Sequence, residues 1–120
     1  MTDRDADAEK LAGAMPGWKI LRSPTGRDFF RRDDSADIFP IPAADAPLGE
    51  RLAFVGRLCE ALGVRLGSAS EDLAWERWTV VIRVQIGHSE EGPNYEDHEG
   101  SAPDLVHAAI RAALAARRAT

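Results

Sequence analysis

The sequence predicts an α+β domain, in which an antiparallel sheet of about four strands packs with three helices as a layered sandwich. Apolar residues recur at helical spacing in the middle of the chain and near its end, and they alternate with period two over residues 75–86. The second face of that alternating segment is mixed in polarity, which favours an antiparallel sheet. The predicted order is α-β-β-α-β-β-α in one domain of 120 residues.

Residues 3–14 predict a short first helix, which we expect to fray. Asp3 is its predicted N-cap, because an aspartate side chain can accept a hydrogen bond from the first free backbone N–H groups. The run Met15-Pro16-Gly17 ends it.

A β-hairpin is predicted next, with strands over Trp18–Arg22 and Asp28–Arg32. The run Ser23-Pro24-Thr25-Gly26 between them is typical of a turn. Residues 38–42 are expected to be extended, because a residue that precedes proline is pushed out of the helical region.

The second helix is the most regular element of the sequence. Asp45 is its candidate cap, Pro47 suits its first turn and Gly63 ends it. Its predicted buried stripe consists of Leu48, Leu52, Val55, Cys59 and Leu62.

Two strands are predicted after this helix. Val64–Ser70 alternates weakly, which indicates an edge strand, and Trp75–Ile86 alternates strongly. One face of the strong strand carries Trp78, Val80, Ile82, Val84 and Ile86.

Residues 87–100 are predicted to form an acidic loop. They contain five acids and no Lys or Arg, and the whole net charge of −5 equals their contribution. The acids are Glu90, Glu91, Glu96, Asp97 and Glu99.

The last helix is predicted to begin at a capping box formed by Ser101 and Asp104, with Pro103 in the first turn. Arg117 and Arg118 complement its negative end. Its alanines indicate close packing against a neighbouring element or against a second copy of the chain. The residues predicted to point inward are Val106, Ile110, Ala113 and Leu114.

Composition limits the function classes. The acidic balance argues against a nucleic-acid-binding protein that works by neutralising phosphates. No apolar run approaches the ~20 residues that span a bilayer, and the acidic N-terminal segment is unlike a secretory signal. The single cysteine, Cys59, excludes an internal disulfide. Without a targeting signal we expect the protein in a reducing cytoplasm, and without a long apolar run we expect no membrane association.

The sequence contains no recognisable catalytic motif, and we predict no cofactor and no metal. The acidic segment and its flanks hold possible metal ligands, but their spacing matches no known metal motif, and a solvated acidic loop is the favoured interpretation. Cys59 lies in an apolar stripe and is expected to be a packing residue. His107 is expected to be a surface or half-buried structural histidine. The possible ligands are His88, Glu90, Glu91, Asp97, His98 and Glu99.

Two segments could bind something. The first hairpin mixes arginines with phenylalanines, a combination that can stack on a nucleotide and neutralise its charge. The predicted ligand-binding residues are Arg27, Phe29, Arg31 and Arg32. The alternative is that these charges simply pair with Asp28, Asp33 and Asp34.

The second candidate is a protein-binding surface. Trp78 is expected in the core, whereas Trp75 has no apolar stripe to join and could anchor an interface. The predicted partner-binding residues are Trp75, Glu90, Glu91, Tyr95, Glu96, Asp97 and Glu99.

Three pieces of the chain resemble the phage ABA sandwich family of small phage proteins. They are Ala8-Glu9-Lys10-Leu11 followed by Pro16-Gly17-Trp18-Lys19, then Ser35-Ala36-Asp37-Ile38, and finally residues 101–114, SAPDLVHAAIRAAL. The proline-rich residues 40–47 and the Ala-Arg end of the last helix depart from the family pattern. The resemblance implies phage or prophage origin and a three-layer fold, with no established enzyme activity.

The function expected from these observations is binding without catalysis, as a phage accessory protein that forms a homo-oligomer. One alternative is a sponge for a nucleotide-derived immune signal, because a distantly similar group of phage proteins sequesters cyclic ADP-ribose-type signals at subunit interfaces. A second alternative is an acidic inhibitor or immunity-type protein that covers a basic partner.

Overall fold

The computed structural model describes residues 2–33 and 36–118. It confirms the α+β class and the antiparallel pairing, but six strands form two three-stranded sheets where about four strands were predicted. The elements are α1 Asp3–Ala14, β1 Trp18–Arg22, β2 Asp28–Arg32, β3 Ile38–Pro40, α2 Leu48–Leu62, β4 Arg65–Asp72, β5 Arg77–Ser89, β6 Gly92–Ala102 and α3 Leu105–Arg118.

The first sheet has the order β1-β2-β3, and its hairpin has the predicted bounds. The backbone N–H of Gly26 donates to Ser23 O across the turn, where Gly26 has a φ of 80°. The extra strand is β3, which was predicted only as extended chain. Phe39 pairs with Phe30 of β2 in this sheet, so tertiary pairing converts extended chain into a strand.

The second sheet has the order β4-β5-β6. β4 lies at an edge, as predicted. The prediction of an acidic loop is wrong, because residues 92–102 form β6 and pair with β5 along its length. Only Glu90 and Glu91 form the turn between the two strands. Glu96 lies on one face of β6, whereas Asp97 and Glu99 lie on the other. Charge density along the chain does not reveal this arrangement.

Helix α3 is the centre of the molecule. It packs against β5 and β6 and also against α1 and α2. The predicted inward residues Val106, Ile110, Ala113 and Leu114 are all buried. α3 lies so close to β6 that a side chain at Gly100 would overlap the helix backbone at Ala108 and Ala112. Small side chains on α3 permit this close approach. The alanine pattern therefore reflects contact with a neighbouring strand.

The three predicted helix starts are wrong in detail. Thr2, rather than Asp3, caps α1, since its hydroxyl accepts from the Asp5 N–H at 3.2 Å and the Asp5 carboxylate accepts from the Thr2 N–H. Pro47 occupies the N-cap of α2, and none of the described side chains caps that helix, so Asp45 has no capping role. Asp104 caps α3 by itself, accepting from the N–H groups of residues 106 and 107 at 2.8 and 3.2 Å.

Ser101 therefore belongs to β6 and not to a capping box. At the other end of α2, Gly63 terminates the helix in the left-handed region with φ 68°, as predicted.

The buried side of α2 is rotated from the predicted stripe. Leu48 and Leu52 are exposed, although Val55 and Cys59 are buried as expected. Phe54 and Leu58 take their place in the core, because Phe54 packs among Phe30 and Phe39 of the first sheet. An aromatic cluster across the helix–sheet contact decided which flank is covered.

Candidate functional site

A cleft of about 330 Å³ opens where the first sheet, α2 and the end of α3 meet. We call it the arginine cleft. Its walls carry three guanidinium groups, two aromatic rings and two carboxylates. The lining residues are Pro16, Trp18, Arg32, Asp37, Phe39, Arg57, Glu60, Ala61 and Arg117.

Strand register places Arg32 in this cleft. Arg32 is the cross-strand partner of Trp18, so the two side chains stand next to each other on one face of the sheet. Ile20 and Phe30 form the next pair on that face, and Phe30 is fully buried in the core. The Arg32 guanidinium lies 3.9 Å from the Asp37 carboxylate, and both side chains are more than half exposed. This ion pair therefore leaves the Arg32 charge open to solvent.

The aromatic wall is built by Trp18 and Phe39, whose ring centroids are 5.7 Å apart in an edge-to-face arrangement. Phe39 is buried, and the guanidinium of Arg57 from α2 lies 5.6 Å from its ring centroid. Trp18 is only half-buried. Its ring and the plane of Arg57 are the flat surfaces that a planar ligand could meet.

Arg117 completes the wall from the last turn of α3. Three positive charges thus reach one cleft from β2, α2 and α3, against the two acids Asp37 and Glu60. Guanidinium groups that reach a cleft from separate elements can bind one anion from different sides.

The structure separates the four predicted ligand-binding residues. Only Arg32 lines the arginine cleft. Phe29 and Arg31 alternate with it along β2 and therefore point to the opposite face of the sheet. Arg27 follows the turn and lines two other depressions, one of them a groove of about 300 Å³ with Phe54 and Pro42.

The competing interpretation of the hairpin, charge pairing with nearby acids, holds for other bases. Asp28 pairs with Arg22 at 3.2 Å and Asp33 pairs with Lys19 at 2.9 Å. Arg22 also contacts Glu9 of α1. Asp34 lies outside the described residues.

The predicted partner-binding residues do not form one surface. Trp75 precedes β5 and Glu90 follows it, and the 13 residues of β5 span roughly 40 Å at ~3.3 Å per residue. Trp75 is 76% exposed, as expected for a contact residue, whereas Trp78 is half-buried and packs against the core.

Two of the five acids already have partners. Glu96 lies 3.0 Å from His98, and Asp97 accepts a hydrogen bond of 3.0 Å from Arg83. The hydrogen bond from Arg83 holds the pKa of Asp97 below its usual value. The ring of Tyr95 lies beside the guanidinium of Arg83, with the carbon of that group 5.9 Å from its centroid. The acids are therefore partly neutralised within their own sheet.

Cys59 and His107, which the sequence analysis considered as possible functional residues, are both buried. Cys59 is buried, and burial raises the pKa of its thiol. His107 is more deeply buried than predicted, at 7% exposure. Within residues 2–33 and 36–118, no group of three or more His, Cys, Asp and Glu side chains lies close enough to hold a metal ion.

Sequence reasoning missed Trp18, Arg57 and Arg117 as site residues. No motif links positions so far apart, and Arg117 had a sufficient explanation at the negative end of its helix. A single basic residue on the exposed side of α2 gave no signal either. Only the packing of α2 and α3 against the first sheet brings these residues together.

Comparison of the chain with protein-family models, with curated proteins and with solved structures found no match. The resemblance to phage ABA sandwich proteins therefore remains an expectation. None of the described helices has the length and apolar content needed to cross a membrane.

Proposed function

We propose that this protein acts by binding a small organic anion with a planar ring in the arginine cleft. The observation that carries the proposal is the convergence of Arg32, Arg57 and Arg117 beside the half-buried ring of Trp18. Guanidinium groups bind phosphate or carboxylate through paired hydrogen bonds and also stack on flat rings.

The volume of the cleft favours a small ligand. At about 330 Å³ it stands at the lower end of the ~300–1,000 Å³ that ligand pockets usually offer. A mononucleotide suits this size better than a dinucleotide. The sponge for a nucleotide-derived immune signal is a narrower form of the same proposal, and it would require the signal to occupy the cleft as a compact, singly stacked base.

Isothermal titration calorimetry with adenosine 5′-monophosphate tests the proposal. Adenosine lacks the anion and ribose 5-phosphate lacks the ring, so these two probes separate the contributions of the guanidinium groups and of Trp18. We expect the nucleotide to bind more tightly than either fragment. Cyclic and ADP-ribose-derived nucleotides in the same assay test the sponge. Absence of heat with every probe contradicts the proposal.

The strand supplies a matched pair of variants. Arg32→Gln removes a charge from the cleft, whereas Arg31→Gln removes the neighbouring charge from the opposite face of β2. We expect Arg32→Gln to weaken binding by about tenfold, since a hydrogen bond to a charged group contributes about 1.5–3 kcal/mol. Arg31→Gln should bind like the wild type. Equal losses in both variants would point to general electrostatic attraction and against a built site.

A further inference from the structure

We propose that two copies of this chain pair through the free edges of their β4 strands, antiparallel about a two-fold axis normal to the sheet. The β4-β5-β6 sheets of the two copies then join into one six-stranded sheet. This inference goes beyond ligand binding, and it assigns an interface to the homo-oligomer that the sequence predicts.

β4 forms an exposed edge of the second sheet. Seven of its eight residues pair with β5, no other described strand pairs with it, and seven of the eight are exposed. An edge of this length presents a row of unsatisfied N–H and C=O groups, which are a template for another strand. The centre of β4, residues 67–70, is Gly-Ser-Ala-Ser, so no bulky or charged side chain obstructs a second backbone.

A bulge between Leu66 and Ser68 fixes the register. With Gly67 as the extra residue, the strand has Ala69 at its midpoint. A two-fold axis through Ala69 places Ser68 opposite Ser70 of the partner subunit. It also places Leu66 opposite Glu71 of the partner subunit.

In this register, the two side chains of each pair across the interface point to the same face of the sheet. Ser68 and Ser70 are the cross-strand partners of Val81 and Thr79, which lie on one face of β5, whereas Leu66 and Glu71 are the partners of Ile82 and Trp78 on the other face. Each residue therefore opposes one that points to the same side of the sheet. A shift by one residue would lose this agreement.

The charges are self-complementary in the same register, because Arg65 comes to lie opposite Asp72 of the partner subunit. Within its own chain Arg65 stands opposite Arg83, an unfavourable like-charge pair. Arg83 has Asp97 as its partner, whereas Arg65 meets the ring of Tyr95 and forms no salt bridge with the described residues. The partner's carboxylate supplies the missing counter-charge at both ends of the interface.

Apolar area flanks this edge. Leu66 is 42% exposed on the face that α2 covers. Leu48 and Leu52 are exposed on the stripe of α2 that continues through Val55 and Cys59. The opposite flank of α2 lines the groove beside the first sheet. These leucines lie on the flank of α2 that does not line this groove, and a second copy that reaches that flank would bury them.

The other edge of the sheet is unsuited to the same pairing. β6 carries Glu96, Asp97 and Glu99 close together, so a second β6 would bring like charges into register. This contrast between the two edges selects β4 as the interface.

Two double variants test the proposal by sedimentation equilibrium and size-exclusion chromatography with light scattering. Both change only exposed serines on the same face of β4. Ser68→Glu with Ser70→Glu places like charges opposite each other across the axis. We expect the dissociation constant of the dimer to rise by about tenfold or more. Ser68→Glu with Ser70→Lys places opposite charges there and should retain the dimer.

Circular dichroism and thermal unfolding verify that both variants are folded. A wild-type chain that stays monomeric at the highest soluble concentration overturns the proposal, and so does an unchanged dimer in the like-charge variant. Loss of the dimer in both variants overturns the register. The arginine cleft lies within one copy, so calorimetry with adenosine 5′-monophosphate on the like-charge variant reports on the ligand site independently of the dimer.

Discussion

His107 Nε2 lies 2.7 Å from Asp7 Oδ2, and this contact joins the last helix to the first across 100 residues of sequence. Arg111, one turn further along α3, donates from Nε to the same carboxylate oxygen at 3.2 Å. Arg111 also donates to Ser101 O at 2.9 Å, which ties the end of β6 into the cluster. One carboxylate therefore fixes α1 on the helix that forms the centre of the core.

Asp7→Asn should destabilise the fold by about 2 kcal/mol, because hydrogen bonds to a charged group contribute ~1.5–3 kcal/mol and Asp7 is largely buried by its partners. Urea unfolding monitored by circular dichroism measures the loss. Asp3→Asn is the control, since that exposed residue of α1 has no partner in a salt bridge with the described residues. An equal loss in both variants would contradict the assigned role of Asp7.

The same cluster should make stability fall in acid. Burial opposes ionisation of Asp7, but the hydrogen bonds from His107 and Arg111 outweigh it and hold the pKa of Asp7 below its usual value. A lowered folded-state pKa stabilises the protein above the unfolded-state pKa, and this stability disappears as the pH falls from about 4 through the folded-state value. Unfolding free energies measured against pH should show a flatter acid limb in Asp7→Asn than in the wild type.

Gly100→Ala should destabilise the fold by about 3 kcal/mol or more, because the added methyl group must displace the backbone of α3. Gly87→Ala, on the exposed part of β5 in the same hairpin, is the matched control, since no atom of another described residue outside its chain neighbours lies within 4 Å of the added carbon. Thermal unfolding compares them. If Gly100→Ala unfolds at the same temperature as the wild type, α3 does not lie this close to β6.

Truncation of the two tryptophans around the start of β5 should change the free energy of unfolding by very different amounts. Trp75→Ala removes a side chain that is 76% exposed and should change the unfolding free energy by less than about 0.5 kcal/mol. Trp78→Ala removes a ring that packs against the core and should cost about 3 kcal/mol. Chemical denaturation gives both values, and a comparable cost for the two would place Trp75 in the core as well.

Cys59 should react slowly with thiol reagents in the native protein. Its side chain is buried and its pKa is raised by that burial, so the reactive thiolate is scarce and inaccessible. Reaction with 5,5′-dithiobis(2-nitrobenzoic acid) should be fast in denaturant and limited by opening of the fold without it. Fast labelling of the native chain would contradict the buried position.

The sequence predicted those elements whose pattern is local. The hairpin of β1 and β2, the strand through Trp78 and Ile82, and the end of α2 at Gly63 all follow from alternation, turn residues or a C-cap glycine. β6 escaped prediction because its acids and glycines resemble a solvated loop, and pairing with β5 overrides that local preference. The candidate site was predicted only at Arg32.

By itself, then, the sequence determined the fold class, the order of the three helices and of the strands β1, β2, β4 and β5, and the inward face of α3, because periodicity and turn chemistry act over a few residues. Only the tertiary structure decided that β3 and β6 are strands, which flank of α2 is buried and which arginines meet at Trp18. Those outcomes depend on contacts between residues far apart in the chain. Such contacts are selected by shape and pairing in three dimensions, and one-dimensional spacing carries no record of them.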